Sequence, residues 1–290
     1  ADVTYARGCG FADGDEDIES AVNAAKDCDV IVCAIGQTQD MCGEARSRIQ
    51  LVIPGPQEKL LKELKKLNKP IVTIVVSGRP LVLNTAGEYS DALLFSGALG
   101  TMSGYGYCDV LFGSYNPSAK LVSTFNQVYG LGGTGYYNSL NCSRPPCDDT
   151  PWCSKFIDAP IKPLYPFGYG KSYTEFEYSN LRTDKTEYSK DECVRVSVDV
   201  ANIGKYDGEE IVQLYITDPT GSYTRPLKEL KAFDKAMIKR GETKTFEFKI
   251  SVHDMGYYGR KCDYITESGK IIIGVGTDSE NLKLTDIYIK

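Results

Sequence analysis

The chain has one histidine, His253, in 290 residues. A zinc centre needs several Cys or His ligands at paired spacing, and a serine hydrolase needs a histidine base close to a G-x-S-x-G elbow. Neither pattern accompanies His253, which reads as a surface or edge residue. No run of 18 apolar residues occurs, so no transmembrane helix is expected. No basic cluster occurs either: the net charge is −6 and the pI about 5.1, which excludes nucleic acid and anionic membrane surfaces as partners. No G-x-G-x-x-G follows a strand and no G-x-x-x-x-G-K is present, so no nucleotide cofactor is signalled. The first residues, ADVTYARGCG, lack a basic n-region and an apolar h-region. Any signal peptide is therefore expected to be already removed or to lie upstream.

What the chain does have is ordinary globular composition, 42% hydrophobic and 25% charged, enough for a core in each of two domains. It also has ten cysteines. Cys142, Cys147 and Cys153 crowd a loop rich in Pro, Ser and Asp. Their gaps suit a disulfide-stapled loop better than zinc, and disulfides persist in oxidising compartments. Asn141-Cys142-Ser143 is a glycosylation sequon on the same loop. The compartment expected is secreted or lumenal.

Along the chain, Ile18, Ala21, Val22 and Ala25 have helical spacing behind acidic residues. Residues 29–36, DVIVCAIG, form a short apolar run of the kind buried in parallel sheets. Gln37 to Ile49 is a polar loop at the carboxyl end of that strand, where open α/β sheets bind ligands. Pro54-Gly55-Pro56-Gln57 opens a helix carrying Leu60, Leu61, Leu64 and Leu67, and Asn68-Lys69-Pro70 stops it. Ile71 to Val76 and Ala92 to Phe95 are two further strands. Strand alternating with helix implies a parallel sheet with helices on its faces. Residues 163–174, PLYPFGYGKSYT, mark a change of period, with Tyr165, Phe167, Tyr169 and Tyr173 as packing residues. Beyond it Val194, Val196, Val198 and Val200 alternate with Arg195, Ser197 and Asp199. Six or seven such short strands imply an antiparallel, immunoglobulin-like sandwich. The fold class expected is α/β followed by all-β, divided as residues 1–162, a junction at 163–174, and 175–290.

Five segments together resemble the C-terminal half of the family-3 glycoside hydrolases, the β-glucosidase and β-xylosidase group. They are Gly43 to Arg48 running into Ile53 to Gln57; Lys69 to Val72 leading to Ser77-Gly78-Arg79-Pro80; Asp109 to Pro117; Pro163 to Thr174; and Arg225 to Leu230. The resemblance implies an α/β sandwich followed by a fibronectin type III-like domain, with no cofactor. It implies a shared catalytic unit: a (β/α)₈ barrel brings an aspartate nucleophile, and the α/β sandwich brings the acid/base carboxylate on a loop. The matching position is Glu44. Arg46 and Arg48 would hold Glu44 or contact sugar hydroxyls, and the partner would be a β-linked glucoside or xyloside. These residues have no room for a barrel of about 250 residues beside the elements just described, so the chain alone is expected to be inactive. The sandwich also starts late against the family pattern. Where the family has a Trp and then a G-x-E-G-G run, Gly97 and Met102 stand at the Trp and Glu positions. The alternative expectation is a barrel-less, inactive carbohydrate-binding or adhesion protein, its tyrosines available to stack on sugars.

Overall fold

The structure is a computed structural model that describes residues 1–14, 16–131, 156–160 and 162–290. Cys142, Cys147, Cys153 and the sequon at Asn141 lie outside the described residues. Two compact units emerge, one of residues 1–106 with 125–132, the other of residues 107–124 with 133–290.

In the first unit, β1 (Ile31–Gly36), β2 (Ile71–Val76) and β3 (Ala92–Ser96) form a parallel sheet in that order. Helices α1 (Ile18–Ala25), α2 (Gln57–Lys65) and α3 (Asn84–Tyr89) accompany the strands. Leu60, Leu61 and Leu64 give α2 one buried stripe, while Lys62 and Lys65 leave its last turn cationic, matching the helix dipole. The chain leaves α2 through Asn68 at φ +55, a left-handed position asparagine tolerates, and Pro70 bars any continuation. In β1, Ile31, Cys33 and Ile35 are buried, but Val32 and Ala34 are exposed. The apolar run predicts burial on both faces; in the structure one face of this edge strand is uncovered.

The second unit is a β-sandwich. Its larger sheet has the order β5-β13-β12-β7-β8 and its smaller one β4-β6-β9. The strands are β4 (Phe176–Thr183), β5 (Glu187–Tyr188), β6 (Cys193–Asn202), β7 (Gly208–Thr217), β8 (Glu229–Ile238), β9 (Thr243–Ser251), β12 (Gly269–Gly276) and β13 (Leu282–Ile289); β10 (Tyr257–Tyr258) and β11 (Tyr264–Ile265) make a separate small hairpin. The alternating valines of β6 are fully buried and meet Phe246, Phe248 and Ile250 of β9, Leu214 of β7 and Ile273 of β12 in one core. In β6 and β9 the period-2 alternation thus places one face inside, as for a two-sheet sandwich.

Residues 163–174 are stitched to this sandwich. Tyr165 and Tyr169 stack with centroids 5.2 Å apart. Gln213 of β7 donates to the Gly168 carbonyl at 3.0 Å, and Ser279 N–H donates to the Phe167 carbonyl at 3.0 Å. Gly168 has φ +81, and a Cβ there would run into the Gln213 carboxamide. The Thr174 hydroxyl donates to Asn202 at the end of β6 (2.6 Å), and that of Tyr173 to the Val110 carbonyl (2.6 Å). Val110 belongs to α4 (Ser103–Leu111), a helix absent from the periodicity reading because its sequence, SGYGYCDVL, buries no side chain and shows no apolar stripe.

Candidate active-site loop

The loop after β1 begins at a residue that has to be glycine. Gly36 has φ +141, and an added Cβ would collide with the Val76 carbonyl of the neighbouring strand. Gln57, the first residue of α2 and 3% exposed, closes the loop. Its Nε2 donates to the Gly36 carbonyl (2.9 Å) and the Pro54 carbonyl (2.7 Å), and its Oε1 accepts from the Gly36 N–H (2.7 Å). One side chain thereby ties both ends of residues 37–56 together. Such a buried amide satisfies main-chain groups that water cannot reach.

Within the loop a short 3₁₀ turn, Gln39–Met41, is followed by a turn in which Arg46 N–H donates to the Gly43 carbonyl (3.2 Å). Glu44 and Ala45 form its tip. Glu44 is exposed, and among the described residues no ion pair joins it to Arg46 or Arg48. Arg46 is exposed and Arg48 half-buried. The structure therefore brings the three expected site residues into one loop but does not use either arginine to hold the carboxylate. Contacts to the turn come from elsewhere. Arg79, in the loop after β2, donates from Nη2 to the Arg46 carbonyl at 2.9 Å. The Cys42 thiol donates to Oε1 of buried Gln37 at 3.0 Å, and Oγ of Ser77 lies 3.0 Å from the same oxygen. Gln37, Gln57 and Arg79 carry no role in the motif reading, although Gln57 and Arg79 stand inside two of its five segments. Their roles depend on loop–loop contacts, which leave no periodicity to find.

A cleft of about 770 Å³ opens in the sandwich beside Lys120, Tyr178, Glu210 and Thr277. Lys120 pairs with Glu210 at 3.2 Å, both side chains nearly buried. Tyr178 donates to Glu210 at 2.7 Å and Lys120 to Thr277 at 2.7 Å. Burial, reinforced by the Glu210 charge, pushes the Tyr178 phenol far above its ordinary value. Oε1 of this carboxylate takes both bonds, from Lys120 and Tyr178, so the cleft reads as a structural ion pair. No group of three or more metal-ligating side chains exists among the described residues. His253 is exposed and stacks on Tyr264. Cys28, Cys33, Cys42, Cys108, Cys193 and Cys262 carry thiols and no disulfide. No described helix is long and apolar enough to cross a membrane.

A parallel α/β domain with a carboxylate on its first strand–helix loop, joined in sequence to a fibronectin-like sandwich, is the class of architecture found in the C-terminal region of glycoside hydrolases. Residues 4–173 match the glycosyl hydrolase family 3 C-terminal domain, and residues 210–279 match the fibronectin type III-like domain. The chain belongs to glycosyl hydrolase family 3. A periplasmic beta-glucosidase of Salmonella typhimurium is 40% identical over 92% of this chain and 35% of its own length. A beta-xylosidase of Formosa agariphila is 33% identical over 99% of this chain and 39% of its own length. The crystal structure of a beta-glucosidase from Listeria innocua in complex with isofagomine superposes with a TM-score of 0.89 at 35% identity, covering 98% of this chain and 40% of that one. The chain thus spans well under half the length of these relatives.

Proposed function

We propose that this chain is the C-terminal part of a β-glucosidase-type hydrolase and supplies Glu44 as the acid/base carboxylate to an aspartate nucleophile on a (β/α)₈ barrel outside these residues. The observation that carries the reading is an exposed, unpaired carboxylate at the tip of a loop whose ends and flanks are tied down. A retaining glycosidase works with two carboxyls about 5–5.5 Å apart. The acid/base first protonates the leaving glycosidic oxygen while the nucleophile forms a glycosyl ester, then removes a proton from the water that hydrolyses it. Glu44 has the exposure to meet a substrate held on a second domain. Arg46 and Arg48, on the same loop, would contact sugar hydroxyls in this reading.

The substrate class is a β-linked glucoside or xyloside, in line with the named activities of the relatives. The relative named as periplasmic supports an extracellular, periplasmic or lumenal setting. The division at residues 163–174 makes residues 175–290 a supporting sandwich with no chemistry of its own. The test is turnover of aryl β-glucosides by residues 1–290 alone and by a polypeptide that joins them to a nucleophile-bearing barrel. The isolated chain shows none and the joined one hydrolyses the substrate. Turnover by the isolated chain that Glu44→Gln abolishes would contradict this division of labour.

A further inference from the structure

We infer that Arg79 is a positioning residue for Glu44: from the loop after β2 it holds the turn at Gly43–Arg46 by its main chain, opposite a second tether that Gln37 makes to Cys42. The inference rests on the acid/base reading of Glu44 for its consequence, but the geometry stands alone.

The turn needs holding. Gly43 sits at φ +110 and Ala45 at φ +57. The alanine is in the left-handed region, which disfavours a side chain and persists only where the surroundings over-determine it. Its one internal hydrogen bond, Arg46 N–H to the Gly43 carbonyl, is 3.2 Å long. Two residues before Glu44, the Cys42 thiol donates to Gln37 Oε1 at 3.0 Å, and Gly78 lies close enough that an added Cβ would stand 3.3 Å from the Cys42 Cβ. Two residues after Glu44, the Arg46 carbonyl accepts from Arg79 Nη2 at 2.9 Å. The carboxylate is thus bracketed on both sides by groups anchored at the carboxyl ends of β1 and β2. Ser77 joins the two brackets, its Oγ 3.0 Å from Gln37 Oε1 and accepting the Arg79 N–H at 3.2 Å.

The chemistry favours arginine for this role. A guanidinium gives a charge-assisted bond to a carbonyl in a fixed plane, so it sets direction as well as distance. Among the described residues the Arg46 carbonyl is the hydrogen-bond partner of the Arg79 guanidinium, whose Nη1 is buried and unpaired, so the guanidinium's hold on this part of the protein runs through that carbonyl. Because the contact is to the main chain of Arg46, the identity of that residue's side chain does not matter to it. This separates Arg79 from Arg46 and Arg48 in function: the latter two are on the loop itself, Arg46 exposed and Arg48 half-buried, whereas Arg79 reaches in from the next loop and shapes the turn.

The experiment is amide hydrogen exchange, read by NMR on the 290-residue chain, for the wild type, Arg79→Ala, Arg79→Lys and Arg46→Ala. Losing one charge-assisted bond should raise exchange of the Arg46 amide about tenfold in Arg79→Ala. Amides of Ile71–Val76 stay within about twofold, Arg79→Lys recovers part of the protection, and Arg46→Ala leaves it unchanged. An Arg46 amide unaffected by Arg79→Ala overturns the inference, and so does uniform acceleration through β2, which would mark Arg79 as merely structural. In a polypeptide that adds the barrel, Arg79→Ala lowers kcat with KM nearly constant and has no further effect on kcat once Glu44 is Gln. Additive losses would sever Arg79 from Glu44 while leaving the role of Glu44 intact. No loss from Glu44→Gln would instead sink the acid/base reading and leave the exchange result standing.

Discussion

Replacing Gln57 with leucine keeps the volume of the side chain close to native and removes three hydrogen bonds at once, those of 2.9 and 2.7 Å to the Gly36 and Pro54 carbonyls and that of 2.7 Å from the Gly36 N–H. Each bond contributes about 1 kcal/mol net, and a buried main-chain donor left unpaired costs about 1–3 kcal/mol more. The expected loss is therefore roughly 4–6 kcal/mol, a large share of the 5–15 kcal/mol typical of a folded protein. Urea unfolding followed by circular dichroism measures it, with an unchanged m-value showing that native compactness is kept. Gln57→Glu sharpens the argument. A carboxylate can still accept from the Gly36 N–H, but it places negative charge against two carbonyl oxygens that lose their donors, so its loss should be at least as large. A cost under about 1 kcal/mol for leucine, or a milder effect of glutamate than of leucine, would refute the idea that this one side chain closes the loop.

Two further outcomes follow from the described side chains. Lys120→Met strands Glu210 in the sandwich without its cation and should cost about 3–5 kcal/mol, most of it recovered in the double variant Lys120→Met/Glu210→Leu; thermal unfolding of the set decides, and an additive pair would contradict a coupled ion pair. Cys33 is 5% exposed, and burial first, with the neighbouring Cys9 second, pushes its thiol up to about 12. Because the folded value lies above the unfolded one of about 8.5, its contribution to stability is complete below that pH and is lost as pH climbs toward 12. Iodoacetamide at pH 8 should label exposed Cys108 and Cys262 and spare Cys33, as peptide mass spectrometry will show; rapid native labelling of Cys33 would contradict its burial.

Most of the architecture is legible in the residues. The alternating valines of β6 and the apolar runs of β1 and β2 carry their periods plainly, and the structure places these strands within two residues of the sequence reading. What was not legible has physical causes. The helices α3 and α4 bury almost nothing, so they carry no stripe to detect. The exposed face of β1, with Val32 and Ala34, breaks the rule that an apolar run is buried on both sides. Within the loop, Glu44 stands out only through the motif around it; its exposure is what any loop glutamate would show. Its tethers are harder still to find, because Gln57 and Arg79 act through main-chain groups of Gly36 and Arg46, 21 and 33 positions away, and Gln37 through the sulfur of Cys42 and the hydroxyl of Ser77, whose sequence neighbours give no hint. Arg46 and Arg48 show the converse: sequence adjacency proposes an ion pair with Glu44 that the turn geometry does not make.

The central claim is that Glu44 gives and takes the proton. It is tested most directly by the leaving-group dependence of Glu44→Gln in a polypeptide carrying both this chain and a nucleophile-bearing barrel. A missing general acid matters in proportion to how badly the leaving group needs a proton. The variant should therefore lose about 10²–10⁴-fold in kcat/KM on alkyl β-glucosides, far less on dinitrophenyl β-glucoside, and lose the basic limb of its pH profile. An equal loss on both substrates, or a wild-type rate on the alkyl glucosides, would contradict the assignment.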